Sequence, residues 1–396
     1  LTQQLSSDDP ARMTGRVIVV GGGVFGVASA LELRARGYGV VVVETGRTPR
    51  PQAASTDISK IVRMDYGADA FYTALMERAI PLWRGWNRRW ERPLFHEDGF
   101  LLLSRAPIGP GTFEGDSLAM LTRRGHPLER LRPGMLEAQW PAWSDGGYTD
   151  GYFNPVAGWA ESGAVLAMLT ADARSLGVEF HEDDPCVDLR AGAAVTAAGA
   201  ILSGDVVLLA AGAWTPRLAP QLAHAMWPVA QPVFHLRPAD PAPWRPPSFT
   251  VWAADIARTG WYGFPANADG IVKIANHGPG RRVDPDAPRA VTAEDERSLR
   301  AFLRESLPAL AEAPLCASKT CLYCDAFDGD LWVGRDPEQP WLAVAAGDSG
   351  HGFKFAPVLG EIVADAIEGK LTESTARLGW RAPAGRRTED ARFGLS

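Results

Sequence analysis

Val17-Ile18-Val19-Val20-Gly21-Gly22-Gly23-Val24-Phe25-Gly26 is the stretch that decides the fold, together with the helical run that follows it and a second apolar run, 39–43, that ends at Glu44. Four consecutive apolar residues before the glycines read as a strand buried on both faces, and 24–36, closed by Gly37, reads as a helix. Strand, helix and strand in this order form the unit of a parallel sheet. The glycines fall at G-x-G-x-x-G spacing at the junction of the first strand and the helix, the context that makes the pattern informative. Gly21 permits the tight turn, Gly23 lets the backbone approach a diphosphate, and Gly26 lets helix and strand pack closely. The helix opens with Val24 and Phe25, and its N-terminal amides are donors for phosphate oxygens. Glu44 is placed to accept hydrogen bonds from ribose hydroxyls, and a carboxylate there disfavours a 2'-phosphate. The expected ligand is FAD or NAD, not NADP. The motif does not choose between those two, and the competing reading is a glycine turn with no ligand.

Working outward, 396 residues with 46% apolar and 22% charged content suit a globular chain of two or three structural units. A net charge of -7 argues against a general nucleic-acid binder, which needs a basic footprint. No apolar run approaches the roughly eighteen residues of a membrane span, and the polar, acidic lead 1–10 lacks the form of a secretory signal. The expectations are no membrane partner and a cytoplasmic location.

Trp83, Trp86 and Trp90 recur at helical spacing within 81–90 and read as a packed helix face. Residues 100–104 read as a strand, 106–115 as a loop, and 161–176 as a helix. Strands follow at 178–181 and 206–210, the latter leading into Ala211-Gly212-Ala213-Trp214 and returning to the first sheet. Prolines recur too often in 228–247 for a helix, 260–275 alternates enough for strands, and 292–307 is a helix with an acidic first turn. A last strand, loop and helix occupy 341–346, 347–352 and 357–367. The four cysteines, at 186, 316, 321 and 324, are too few for a disulfide scaffold. Cys316, Cys321 and Cys324 mimic an iron–sulfur spacing but lack a fourth cysteine downstream. A redox pair or half of a zinc site is equally weakly supported, so no metal is expected.

Ser59-Lys60-Ile61-Val62-Arg63, Trp261-Tyr262-Gly263-Phe264-Pro265, Lys273-Ile274-Ala275-Asn276-His277, Cys321-Leu322-Tyr323 and Gly347-Asp348-Ser349-Gly350-His351-Gly352-Phe353-Lys354 follow one another in a telling order. With them the chain, over about 16–370, resembles the monomeric sarcosine oxidase family, which includes N-methyltryptophan, pipecolate and fructosyl amino acid oxidases. The resemblance implies an α/β fold of the D-amino acid oxidase type: a Rossmann-like FAD-binding sheet and an α+β substrate domain built on an antiparallel sheet. The FAD domain is expected to be discontinuous, from 14–93, 151–220 and 321–385, with 94–150 and 221–320 forming the substrate domain.

The same resemblance implies FAD bonded covalently through Cys321 at the 8-methyl carbon of the flavin ring. It places Lys273 near flavin N5, holding a water and activating O2, and sets Lys60 beside the ring. Arg63 and Lys354 are implied to bind a substrate carboxylate, Tyr262 and Tyr323 to wall the cavity, and His277 to lie beside flavin and substrate. Ser59, Gly212, Gly350, Gly352 and Phe353 complete the implied cofactor contacts, while His351 reads as structural and Cys186, Cys316 and Cys324 as buried thiols. Lys60 stands where sarcosine oxidase has arginine, and Ser59 where it has threonine. With the Gly-Asp-Ser-Gly loop start, this leans toward the fructosyl amino acid oxidase branch and leaves the amine itself open.

The expected chemistry is removal of a hydride equivalent from the carbon next to nitrogen, by a monomer acting on a small-molecule amine with O2. The products would be an imine and hydrogen peroxide. The rivals are a dehydrogenase using another electron acceptor, an oxidase tailoring an amino-acid-derived natural product, and a non-catalytic FAD-binding module.

Overall fold

The computed structural model describes residues 14–143, 147–383 and Arg392. The N-terminal lead 1–10 lies outside the described residues. The opening motif folds as β1 (Arg16–Val20), α1 (Val24–Ala35) and β2 (Gly39–Val43). β1 pairs in parallel with β2 on one side and with Val206–Leu209 on the other, in register Val17↔Val40 and Val17↔Val206. With both edges paired and both faces covered, Val17, Ile18 and Val19 are wholly buried, which is why the run shows no polar alternation. Glu179–His181, Leu342–Ala346 and the antiparallel edge strand Trp332–Arg335 complete a six-stranded sheet.

A nine-stranded sheet forms the second centre. Its long pair, Met226–Leu236 and Leu315–Ala326, is antiparallel, as are its other pairings except that of Val251–Ala254 with Phe100–Ser104. Two three-stranded sheets complete the fold, and the α/β architecture of a largely parallel and a largely antiparallel main sheet is as the resemblance implies. The boundary at 321 falls inside Leu315–Ala326 and that at 151 inside Asp150–Asn154, both strands of this second sheet.

Several local expectations shift. The tryptophan-bearing helix runs over Ala70–Arg89, beginning well before Pro81, because the Asp69 carboxylate caps it by accepting from the Phe71 and Tyr72 amides. Trp83 is buried on its inner face, as the spacing implies. The loop read at 106–115 ends sooner: Thr112 accepts from the Gly115 amide and starts the helix Phe113–Arg123. The proline-rich 228–247 is indeed not helical, but its first part is the strand Met226–Leu236. Helix Ala293–Ser306 is held by a capping box between Thr292 and Asp295. Of the three cysteines read as buried thiols, only Cys324 is buried; Cys316 is exposed and Cys186 intermediate. Cys316 lies in the outer half of its strand, where the residues face solvent before the strand enters the core near Thr320.

Candidate active site

At the carboxyl ends of β1 and β2 opens a cavity of about 510 Å3, lined by Val20, Gly21, Gly23, Val24, Phe25 and Glu44 and, across from them, by Gly212, Tyr323, Gly350 and Phe353. The backbone there requires glycine. Gly21 has φ +112, and a Cβ on Gly26 would stand 1.9 Å from the Gly21 carbonyl oxygen. Gly23, at the N-cap of α1, has no side chain to cap the helix; the Val24 amide donates to the Ser55 hydroxyl at 2.9 Å, and Val24 and Phe25 of the first turn line the cavity. Glu44 is held at the rim by the Gly22 and Thr45 amides, at 2.7 and 2.8 Å. A loop that a Cβ would fill, a helix start at the cavity wall and an anchored carboxylate fit a dinucleotide.

A smaller cavity, about 60 Å3, is lined by Arg63, Tyr262, Phe264, His277, His351 and Lys354 and shares Lys60, Tyr323, Gly350 and Phe353 with the large one. Gly350 makes the join: at φ +81, its added Cβ would strike the Tyr323 ring at 2.2 Å. The structure therefore brings Lys60, Arg63, Tyr262, His277, Tyr323 and Lys354 to one volume against the dinucleotide cavity. Tyr262 and Tyr323 hydrogen-bond through their phenols, and burial raises the pKa of each, so both stay neutral. The His277 ring lies 5.8 Å from that of Tyr323. Arg63 is buried over the rings of Tyr66 and Phe113, at 5.1 and 5.4 Å. Lys354 Nζ donates to the Tyr66 hydroxyl (2.8 Å) and the His351 carbonyl (3.0 Å).

Other expected residues line neither cavity. Gly26 and Gly352 act by close packing; a Cβ on Gly352 would press the Phe25 ring at 2.7 Å. Ser59 is buried, with a hydroxyl lacking a hydrogen-bond partner. Cys321 is buried one residue before the lining Leu322, its sulfur 3.9 Å from Lys60 Nζ. Burial alone would lower the Lys60 pKa, but Cys321, Tyr262, Asp57 and Asp348 outweigh it and the net shift is upward. The ammonium is therefore secure. Lys273 stands behind this layer, fully enclosed, with Nζ 2.8 Å from Asp57 and 2.5 Å from the Ser59 carbonyl.

Asp57 also meets His235 at 3.1 Å and Lys319 at 3.4 Å. Burial would raise its pKa, yet Lys273, His235, Lys319 and Lys60 together hold it well below the usual carboxylate range. One acid shared among several cations leaves Lys273 under-compensated: burial, then repulsion from Lys60, pushes its pKa down to about 8 against the pull of Asp57.

Sequence reasoning missed Asp57 and Tyr66 and the roles of Phe264 and of Asp348, which lines the large cavity and whose carboxyl is raised to about 6 by burial. Asp57 and Tyr66 flank the Ser59–Arg63 motif closely, and that proximity was the available signal. His351 is structural in its contacts: Nδ1 meets the Tyr66 hydroxyl at 3.1 Å and Nε2 the Gly329 carbonyl at 2.9 Å. Trp83 donates to the Lys354 carbonyl, so the packed helix face also supports the site. Among the described residues no group of three or more histidine, cysteine or acidic side chains could hold a metal, and no helix is long and apolar enough to cross a membrane.

Comparison with known proteins agrees with this geometry. The chain is 26% identical to monomeric sarcosine oxidase of Bacillus sp. (strain B-0618) over 377 residues, covering 93% of this chain and 96% of that one. It is 29% identical to N-methyl-L-tryptophan oxidase of Salmonella heidelberg (strain SL476), covering 89% and 95%. The crystal structure of the deglycating enzyme fructosamine oxidase (Amadoriase II) of Aspergillus fumigatus superposes with a TM-score of 0.82 at 26% identity, covering 96% of this chain and 93% of that one. The profile of the FAD dependent oxidoreductase family (DAO) matches residues 16–366. A glycine loop leading into α1, an anchored Glu44 and a match over nearly the whole fold have one reading: this chain is a member of the FAD dependent oxidoreductase family, an FAD-dependent enzyme.

Proposed function

We propose that the chain oxidises the C–N bond of a carboxylate-bearing, secondary amine, an N-alkyl, cyclic or glycated amino acid, giving an imine and passing two electrons and two protons to O2 as hydrogen peroxide. The observation that carries this reading is the convergence of Arg63 and Lys354 on the small cavity, where it meets the dinucleotide cavity at Lys60, Tyr323, Gly350 and Phe353. Bound in the large cavity, FAD would supply the two-electron acceptor for the C–H bond beside nitrogen.

The residues of this chain supply the rest. Arg63 offers a planar fork for a carboxylate and Lys354 a point charge. Tyr262, Tyr323, Phe264 and Ile256 wall the cavity and exclude water. The amine must be neutral to give up electrons, and the ammonium of Lys60 with the charges of Arg63 and Lys354 lowers its pKa by repulsion, so no dedicated base is needed. Lys273, on the Ser59 side, would hold a fixed positive charge for O2 reduction. Cys321 would hold the flavin by a thioether, its sulfur 3.9 Å from the Lys60 ammonium. In this reading the chain acts as a monomer.

Two measurements test the proposal. Acid-precipitated protein should remain yellow, and Cys321→Ser protein should release its flavin; release from the wild type would remove the thioether. A peroxide screen across N-methyl, cyclic and glycated amino acids should find turnover that Arg63→Met loses through KM, by about 2 to 5 kcal/mol of binding. Unchanged KM in that variant would remove the carboxylate assignment.

A further inference from the structure

The large cavity has a solvent-side wall that the glycine motif does not explain. Arg50 and Gln52 follow β2, Trp214 and Arg217 follow Val206–Leu209, and Asp284, Asp286 and Arg289 come from the segment between Arg281–Arg282 and the helix Ala293–Ser306. Six of them, Arg50, Gln52, Trp214, Arg217, Asp286 and Arg289, line the cavity. The guanidinium carbons of Arg50 and Arg289 stand 5.7 and 5.2 Å from the Trp214 ring centre. The Trp214 indole N–H donates to Asp286 at 2.7 Å, Arg217 pairs with Asp284 and Asp286, and Arg289 donates to the Gln52 carbonyl. Elements of both sheets are thus tied together across the cavity.

The charges in this wall do not cancel. Asp284 and Asp286 are taken up by Arg217 and Trp214, and Glu44, 3.9 Å from Arg50, by two loop amides. Arg289 has no carboxylate within ion-pairing distance among the described residues. Burial, and then the charge of Arg50, lower its pKa, against smaller opposing pulls from Cys321 and Asp286. The same volume receives the N-terminus of α1, a further positive end.

We infer that Arg50 and Arg289, braced by Trp214, form a diphosphate clamp that closes over the cofactor from the solvent side, opposite the amides of α1. The inference rests on the FAD reading and adds to it a site for the diphosphate charge and a wall that the cofactor must cross on entry. Guanidiniums suit the role because their forked N–H groups match phosphate oxygens.

The test uses the full-length chain made flavin-free by riboflavin-limited expression and titrated with ADP and with adenosine in a calorimeter. Wild type should bind ADP at least about tenfold more tightly than adenosine, the scale of one charge-assisted contact. Arg289→Met and Arg50→Met should each lose about tenfold in ADP affinity while keeping adenosine affinity, which also certifies their fold. Arg289→Lys should recover part of the loss. ADP affinity unchanged in both methionine variants, or ADP and adenosine weakened equally, overturns the clamp while leaving the FAD assignment standing. A wild-type chain that binds neither ADP nor FAD overturns the FAD assignment, and the clamp with it.

Discussion

Lys273 and Asp57 set the terms at the scale of single residues. Lys273 is 1% exposed and Asp57 2%, so their ion pair is formed away from water, but Lys319 and His235 draw on the same carboxylate. With its pKa pushed down to about 8, Lys273 is charged below that value and loses its proton as pH rises through it. If its charge serves oxygen, reoxidation of the reduced enzyme, followed by stopped-flow, should slow as pH rises through about 8. Lys273→Met should be slower by about a hundredfold, the scale for loss of one preorganised electrostatic group, and should lose that pH dependence. Normal reoxidation in the variant would end the assignment. Lys273 was readable only through its resemblance to a motif. For Asp57 the only signal was its place beside the Ser59–Arg63 motif, because its partner His235 is 178 residues distant and no local pattern announces the meeting.

Among the elements, the β1–α1–β2 unit was fully legible because each of its glycines has one backbone task, and hydrophobic runs buried on both faces leave no polar positions to confuse the period. Gly26→Val should prevent α1 from seating on Gly21, whose carbonyl oxygen would lie 1.9 Å from the first new carbon. Overpacking of this kind costs about 1 to 3 kcal/mol or more. The expected result is a lower melting temperature together with loss of bound flavin; a variant with wild-type melting and flavin content would contradict the packing argument. The strand Met226–Leu236 was not legible, since Pro228 and Pro232 break the signals by which strands are read. In the fold each is opposite a residue of Leu315–Ala326, Pro228 facing Cys324 and Pro232 facing Thr320, so long-range pairing overrides local preference. The start of Ala70–Arg89 was missed for a related reason: Pro81 looks like a beginning but sits inside a helix whose cap is Asp69.

The whole molecule sets a parallel sheet carrying the glycine loop against an antiparallel sheet carrying Tyr262, Lys273 and Cys321, and the two cavities meet where the sheets' elements converge. Sequence motifs announced the lining residues but not the walls formed by contacts between distant segments, such as Tyr66 with His351, 285 residues apart, or Trp214 with Arg289. The proposed function makes one demand of the chemistry: a compound held in the small cavity by Arg63 and Lys354 must reduce a flavin held in the large one. The most direct measurement is anaerobic mixing of the purified, flavin-loaded protein with secondary amino acids and with their decarboxylated analogues, read as bleaching of the flavin absorption. The account predicts that at least one amino acid bleaches the flavin and that its decarboxylated analogue does so far more weakly at equal concentration. Equal bleaching by the two compounds, or no bleaching by any amino acid of the N-alkyl, cyclic and glycated classes, would contradict it.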